Sequence, residues 1–198
     1  MSPEAILDFW FGDSLRDPAA ARARAAVWFQ ASADFDREIA ERFGGGIERA
    51  AAGELDAWCD AARSALALVL LLDQFPRNVY RGTPLAFASD ARAQEVALAA
   101  IAAGFDAELE PLAASFFYLP LEHAEDLGLQ ELCVELCEAL AARAPAEQRE
   151  ILAEFSDFAR RHRELIRRFG RFPHRNALLG RQPSREELAY LASGGDSF

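Results

Sequence analysis

Hydrophobic residues recur every three or four positions along most of the chain, which is the spacing of one face of an α-helix. The sequence contains no run in which apolar and polar residues alternate as they would in a half-buried β-strand. The longest uninterrupted apolar run, Ala65–Leu72, would be apolar on every side of a helix and therefore predicts a central buried helix. The pattern as a whole predicts an all-α fold.

The two ends of the chain predict different local structures. The opening Ser2-Pro3-Glu4 is typical of a helix start, with a capping serine, a proline at the first helical position and an acid in the first turn. Because three consecutive aromatic residues follow, we expect residues 1–16 to form an aromatic helix packed on the core. The polar, glycine-rich residues 193–198 are expected to form a frayed tail.

Glycine and proline predict where several helices end. Three consecutive glycines at 44–46 are expected to end one helix. Pro76 is expected to end the central helix, because the residue before a proline disfavours helical backbone, and a short loop should follow. Pro120 is expected to precede a new helix that would begin at Leu121.

Length and charge limit the possible functions. A chain of 198 residues fits one domain over residues 1–198, and helices joined by short turns predict stacked antiparallel pairs. The net charge of −11 argues against a nucleic-acid partner, because phosphate backbones bind basic surfaces. The longest apolar run is too short to span a membrane, and the acidic N-terminal segment does not fit a signal peptide. We therefore expect a cytoplasmic protein without a membrane partner.

The charge is unevenly distributed along the sequence. Residues 93–142 contain ten acids and no arginine, whereas residues 160–185 contain nine arginines. These segments either neutralise each other where they pack, or the arginines form one wall of a cleft that binds an anionic ligand.

A short motif occurs twice, as FPRN at residues 75–78 and as FPHRN at residues 172–176. One interpretation is architectural, because an arginine can hydrogen-bond the carbonyls at a helix end. The other is a pair of arginines that together bind a carboxylate or phosphate, oriented by tyrosine and asparagine side chains. The candidate ligand-binding residues are Gln74, Arg77, Asn78, Tyr80, Arg171, Arg175 and Asn176.

Histidines and carboxylates give candidates for acid–base catalysis. His123 next to Glu122 can form an acid–base pair, or the acids can simply complement a helix dipole. His174 and Asp73 are further candidates, as base and as orienting carboxylate, whereas His162 is expected to be a surface or half-buried residue without a special role. The histidines lack a metal-ligand spacing such as HxxxH, so neither a metal nor a cofactor is predicted.

Five long stretches of the sequence are distinctive: ILDFWFG, GELDAW, LLLDQFPRNVYRGTPLAFASDARA, FFYLPLEHAEDLGLQ and RRFGRFPHRNALLGR. The sequence resembles in these stretches a mostly bacterial family, the domain-of-unknown-function family nine-two-four. The stretches spread over nearly the whole chain. The resemblance implies a superhelical bundle similar to tetratricopeptide repeat proteins. It implies no established activity.

Three classes of function therefore stay open. The first is the binding of a small anionic ligand or an acidic peptide end in a pocket where the two motifs meet. The second is an enzyme that uses His123 or His174 with a carboxylate. The third is a tetratricopeptide-like module that binds a protein partner on a helical face.

Overall fold

The computed structural model describes residues 1–196, and within this range every regular element is helical. The all-α prediction is thus confirmed. The α-helices are α1 (Pro3–Phe11), α2 (Pro18–Phe29), α3 (Ala33–Ala51), α4 (Ala62–Val69), α5 (Phe75–Val79), α6 (Asp90–Ala102), α7 (Pro111–Glu122), α8 (Leu127–Arg143), α9 (Ala146–Phe169) and α10 (Arg185–Ala192).

The central helix continues through its proline instead of ending there. Between α4 and α5, residues Leu70–Gln74 form a π-helical turn, in which the Phe75 N–H donates to the Leu70 carbonyl. In a regular α-helix the ring of Pro76 would collide with the carbonyl four residues earlier, and the wider turn makes room for it. The loop expected to hold Arg77, Asn78, Tyr80 and Arg81 is wrong for the first two, which belong to α5, whereas Tyr80 and Arg81 lie in a turn.

The central segment and the N-terminal helix form the middle of the core. Residues 65–76 are all buried, and α4 packs against α1, α6 and α7. On α1, Trp10 and Phe11 are fully buried, and Phe11 meets Phe116 of α7 edge to face at 5.2 Å between ring centroids. The aromatic helix is thus anchored in the core, as its composition predicts.

Two predicted helix boundaries are wrong. Helix α3 runs through all three glycines, because buried residues on both sides hold it in place and Gly46 lies so close to Leu71 that a Cβ would be 3.2 Å from Cδ2. Helix α7 runs through Pro120 to Glu122, so the expected start at Leu121 is instead the end of a helix. Almost all of α7 is buried, and the stabilisation from this packing exceeds the cost of the backbone hydrogen bond that is missing at the proline.

Helices α6 to α9 pack in chain order, each against the next, which is compatible with a tetratricopeptide-like superhelix. None of the helices within residues 1–196 is long and apolar enough to cross a membrane. In the predicted tail, the Asp196 N–H donates to the Tyr190 hydroxyl at 2.7 Å, and the Asp196 carboxylate pairs with Arg161. Residues 197 and 198 lie outside the described residues.

Candidate functional site

A cavity of about 490 Å³ lies where α2, α5, α7, α9 and the second motif meet. One of its walls is apolar and the other carries ionisable and amide side chains. The apolar wall includes Trp28, Phe29, Ile151, Phe155 and Phe158. The polar wall includes Gln74, Arg77, Asn78, Glu122, His123, His162, His174 and Arg175.

The π-helical turn points Asp73 into the protein, where its side chain is fully buried. Its carboxylate lies 2.8 Å from His123 Nδ1 and 3.1 Å from Arg77 Nη1, and it accepts a hydrogen bond from Gln74 Nε2 at 2.6 Å. Burial opposes ionisation of this group, but Arg77 and His123 outweigh it and lower the pKa of Asp73. Asp73 is therefore an ionised carboxylate with a full set of partners.

His123 follows the last residue of α7, where it reaches Asp73 across the cavity wall. Because Asp73 is ionised and only accepts, Nδ1 carries the hydrogen and Nε2 carries the lone pair. Burial and the neighbouring Arg77 lower the pKa of His123, although Asp73 acts in the opposite direction. At neutral pH the imidazole is therefore an uncharged base held in one tautomer.

Glu122 is a buried carboxyl group of the opposite kind. Its Oε1 lies 3.3 Å from His162 Nδ1, and Oε2 has no hydrogen-bond partner among residues 1–196. Burial, together with the negative charge of Asp73, raises the pKa of Glu122 to about 8. Glu122 is thus a neutral carboxylic acid at pH 7, next in sequence to a neutral histidine.

Arg77 is fully compensated by acids. It makes a two-pronged ion pair with Asp90, at 2.8 and 3.0 Å, in addition to its contact with Asp73. Asp90 is the first residue of α6, where a negative charge also complements the helix dipole. Arg77 therefore ties the central helix to α6, which is the architectural interpretation of the first motif.

Arg175 lies in the same cavity but is less well paired. Its Nη1 donates to the His123 carbonyl at 3.1 Å and is 3.6 Å from Asp90, while its Nε has no partner in the described part of the chain. The guanidinium lies between two aromatic rings, 4.7 Å from the Phe87 centroid and 4.3 Å from that of Phe172. Burial and repulsion from Arg77 lower the pKa of Arg175 to about 10.

The second motif is positioned by the loop that contains His123. Helix α9 ends at Gly170, whose positive φ of 69° turns the chain back. The Phe172 N–H then donates to Glu125 Oε1 at 2.8 Å, and Arg181 pairs with the same carboxylate. These contacts hold Arg175 over the end of α7.

His162 is the functional-site candidate that sequence reasoning misses. It is 3% exposed, with Nδ1 hydrogen-bonded to the Phe158 carbonyl at 2.9 Å, and it lies next to Glu122. Burial and the nearby His123 lower its pKa well below the usual value, so it is neutral. Its position between Phe155 and Ile166 on the apolar face of α9 is the signal that predicts burial.

The family model described as "Bacterial protein of unknown function (DUF924)" matches residues 6–195 of the chain. The chain belongs to the DUF924 family. A solved structure of a protein of unknown function from Agrobacterium tumefaciens is similar to it, with 38% sequence identity, a TM-score of 0.82 and 97% coverage of both chains. A comparison with curated proteins finds no significant match.

The structure brings most of the candidate residues of this DUF924 protein together. The members that line or support the cavity are Asp73, Gln74, Arg77, Asn78, Glu122, His123, His174 and Arg175. Tyr80 does not line it. Arg171 and Asn176 also lie elsewhere, in a network with Glu187 at 2.6 and 3.2 Å. These three residues therefore lie outside the lining of the cavity, and Glu187 of α10 holds two of them.

His174 is the third histidine of the cavity. His174 lines the cavity, and burial together with Arg175 lowers its pKa to about 4. The three histidines are thus neutral, and their cavity also contains Glu122. Among residues 1–196, no group of three histidines, cysteines or acids is arranged to hold a metal ion.

Proposed function

We propose that this DUF924 protein binds a small molecule that combines an aromatic ring with a carboxylate. The observation that carries the proposal is Arg175, a buried arginine whose Nε lacks a partner in the described chain while its cavity faces an aromatic wall. Buried charges in proteins are normally paired, so a ligand anion would supply what Asp90 supplies to Arg77.

The electrostatics of the polar wall favour an anion over a cation. Asp73 and Asp90 are already engaged with Arg77, and Glu122 is neutral because its pKa is raised. The cavity therefore offers no unpaired carboxylate to a cation at its buried end, whereas Arg175 has capacity for a further acceptor. An arginine fork also matches a carboxylate in shape.

The size and chemistry of the cavity favour a ligand with an apolar part. A volume of about 490 Å³ is typical of small-molecule pockets. Phe29 and Phe155 meet edge to face at 5.6 Å on the apolar wall, and Trp28 lies beside them, so an aromatic ring would find partners for offset contacts. A cytoplasmic location stays part of this proposal.

Three small probes test the proposal by isothermal titration calorimetry and thermal shift. Phenylacetate carries both features, phenylacetamide has the same shape without the charge, and acetate has the charge without the ring. We expect phenylacetate to bind at least tenfold more tightly than either of the others. At about a hundred times its dissociation constant, the bound probe should raise the melting temperature by about 5–10 °C.

Matched variants locate the binding. Arg175→Met should abolish the preference for phenylacetate over phenylacetamide, because the charge that distinguishes them is gone. Arg168→Met is the control, since Arg168 lies on the surface and pairs with Glu186 away from the cavity. Equal affinity for phenylacetate and phenylacetamide in the unaltered protein, or no binding of either, would overturn the proposal.

A further inference from the structure

We propose that the cavity is an active site in which His123 takes a proton from carbon and Glu122 gives a proton to a carbonyl oxygen of an aromatic 2-oxo carboxylate. The inference rests on the proposed binding of an aromatic carboxylate and adds a reaction to it. It assigns the catalytic roles to two residues that line one wall of the cavity.

The base is prepared by its hydrogen bond to Asp73. Because Nδ1–H donates to the buried carboxylate at 2.8 Å, the ring is fixed in orientation and Nε2 holds the lone pair. Within residues 1–196, no group hydrogen-bonds Nε2. Asp73 acts as a positioning residue and stabilises the imidazolium that forms when Nε2 accepts a proton.

The acid is prepared by His162. The Phe158 carbonyl can only accept, so His162 Nδ1 carries a hydrogen and has no lone pair for a carboxyl proton on Glu122 Oε1, 3.3 Å away. We therefore place the carboxyl proton on Oε2, the oxygen that lacks a partner among the described residues. A buried neutral acid with an unshared proton is suited to hydrogen-bond and then protonate a carbonyl oxygen.

The two groups complete one balanced proton transfer. With the ligand carboxylate on Arg175, the C–H bond next to the carbonyl breaks and its proton goes to His123 Nε2. The C–H electron pair forms a carbon–carbon double bond, the carbonyl π pair moves to oxygen, and that oxygen takes the proton of Glu122. The product is the enol. Solvent then gives a proton back to Glu122 and takes the extra proton from His123. The step needs no oxidant, reductant or further reactant.

Deuterium exchange of phenylpyruvate tests the reaction directly. This probe has a ring, a carboxylate and an exchangeable CH₂ next to its carbonyl. In D₂O, ¹H NMR should show loss of the CH₂ signal faster with protein than without it. We expect His123→Asn and Glu122→Gln each to slow this exchange by about 10²-fold or more, because each removes one partner of the proton transfer. Their affinity for phenylpyruvate, measured by calorimetry, should change no more than several-fold.

Controls separate the reaction from binding and from folding. Glu154→Gln alters an exposed carboxylate at the rim of the same cavity and should leave exchange unchanged. Phenylacetate should inhibit exchange competitively, a readout that needs no variant. Binding of phenylpyruvate without accelerated exchange would overturn the reaction and leave the binding proposal intact. The absence of binding would overturn both proposals, and full exchange in both variants would overturn the assigned roles.

Discussion

The two copies of the FP-RN motif have nearly the same residues and different surroundings. Residues 75–78 are helical and follow the π-helical turn, whereas residues 172–176 form a short turn after α9. Arg77 contacts two acids, at 3.1 and 2.8 Å, while the acid that pairs with Arg175 is Asp90, at the longer distance of 3.6 Å. Both guanidinium groups lie against the Phe87 ring in the same cavity.

This difference underlies our proposal that Arg77 is a structural arginine and Arg175 a ligand-binding one. The acids around Arg77 match its charge and join two helices, so a ligand has little to add there. The Arg175 side chain is less exposed than that of Arg77, 6% against 17%, but lacks equivalent compensation. Burial, and after it repulsion from Arg77, lowers the pKa of Arg175 to about 10. Sequence similarity of the motifs therefore does not imply similar roles.

The largest expected effect follows removal of the Asp73 carboxylate, which precedes the first motif and pairs with its Arg77. Asp73→Ala leaves Arg77 and His123 without their shared partner in a buried site and should lower the free energy of unfolding by about 3–5 kcal/mol. Urea denaturation at pH 7 measures this. Glu164→Ala is the control, because Glu164 is exposed in its pair with Arg167, and it should change stability by no more than about 0.5 kcal/mol. Equal effects of the two substitutions would contradict the account.

The two arginines should respond differently to the same substitution. Arg77→Met breaks the ion pairs with Asp73 and Asp90 and should cost about 2–4 kcal/mol of stability. Arg175→Met replaces an incompletely paired charge with an apolar side chain of similar length and should stay within about 1 kcal/mol of the unaltered protein. Thermal and urea unfolding of both variants measure the two losses of stability. A larger loss for Arg175→Met than for Arg77→Met would show that Arg77 is not the more completely paired arginine.

The pH dependence of stability compares the two buried carboxyl groups, Asp73 ionised and Glu122 neutral. The pKa of Glu122 is raised to about 8 from its ordinary value of 4.5, so the folded state binds an extra proton between these values. The contribution of Glu122 to stability should therefore fall as pH rises, by up to about 1.4 kcal/mol per unit. Near pH 6.5 the three histidines act in the opposite direction, because their pKa values are lowered in the folded state while the unfolded chain still binds protons there.

Glu122→Gln isolates this contribution. Arg77 and Arg175 line the same cavity as Glu122, and both stay protonated over the whole range. The variant should gain stability relative to the unaltered protein as pH rises from 6.5 to 8, whereas Glu154→Gln should not. Parallel stability curves for the unaltered protein and Glu122→Gln would show that Glu122 is ionised at neutral pH.

The smallest effects are expected at the two asparagines. Asn176 donates to the buried Glu187 and accepts from Arg181, so it joins the second motif to α10 and to the segment before it. Asn78 donates to the Gln74 carbonyl one helical turn away and accepts from the half-exposed Arg81 at 3.3 Å. Asn176→Ala should cost about 1–2 kcal/mol and Asn78→Ala about 0.5–1 kcal/mol, both measured by urea denaturation. An equal or reversed order would weaken the distinction between the two motifs.

Local rules were sufficient for the class of fold and for part of the site. Apolar spacing predicts the all-α fold and the buried Ala65–Leu72 helix, and the residue types of Asp73, Glu122 and Arg175 mark them as candidates. The π-helical turn could not be predicted, since it depends on packing that outweighs the proline at 76. The role of Asp90 was also hidden, because an acid in a first helical turn has an ordinary explanation.

The most direct test of the central claim is a crystal structure of the protein with 4-bromophenylacetate. The account predicts anomalous bromine density on the Phe29–Phe155 wall of the cavity and the carboxylate within hydrogen-bonding distance of Arg175. Bromine density outside the cavity, or a carboxylate bound to Arg77 and not to Arg175, would contradict it.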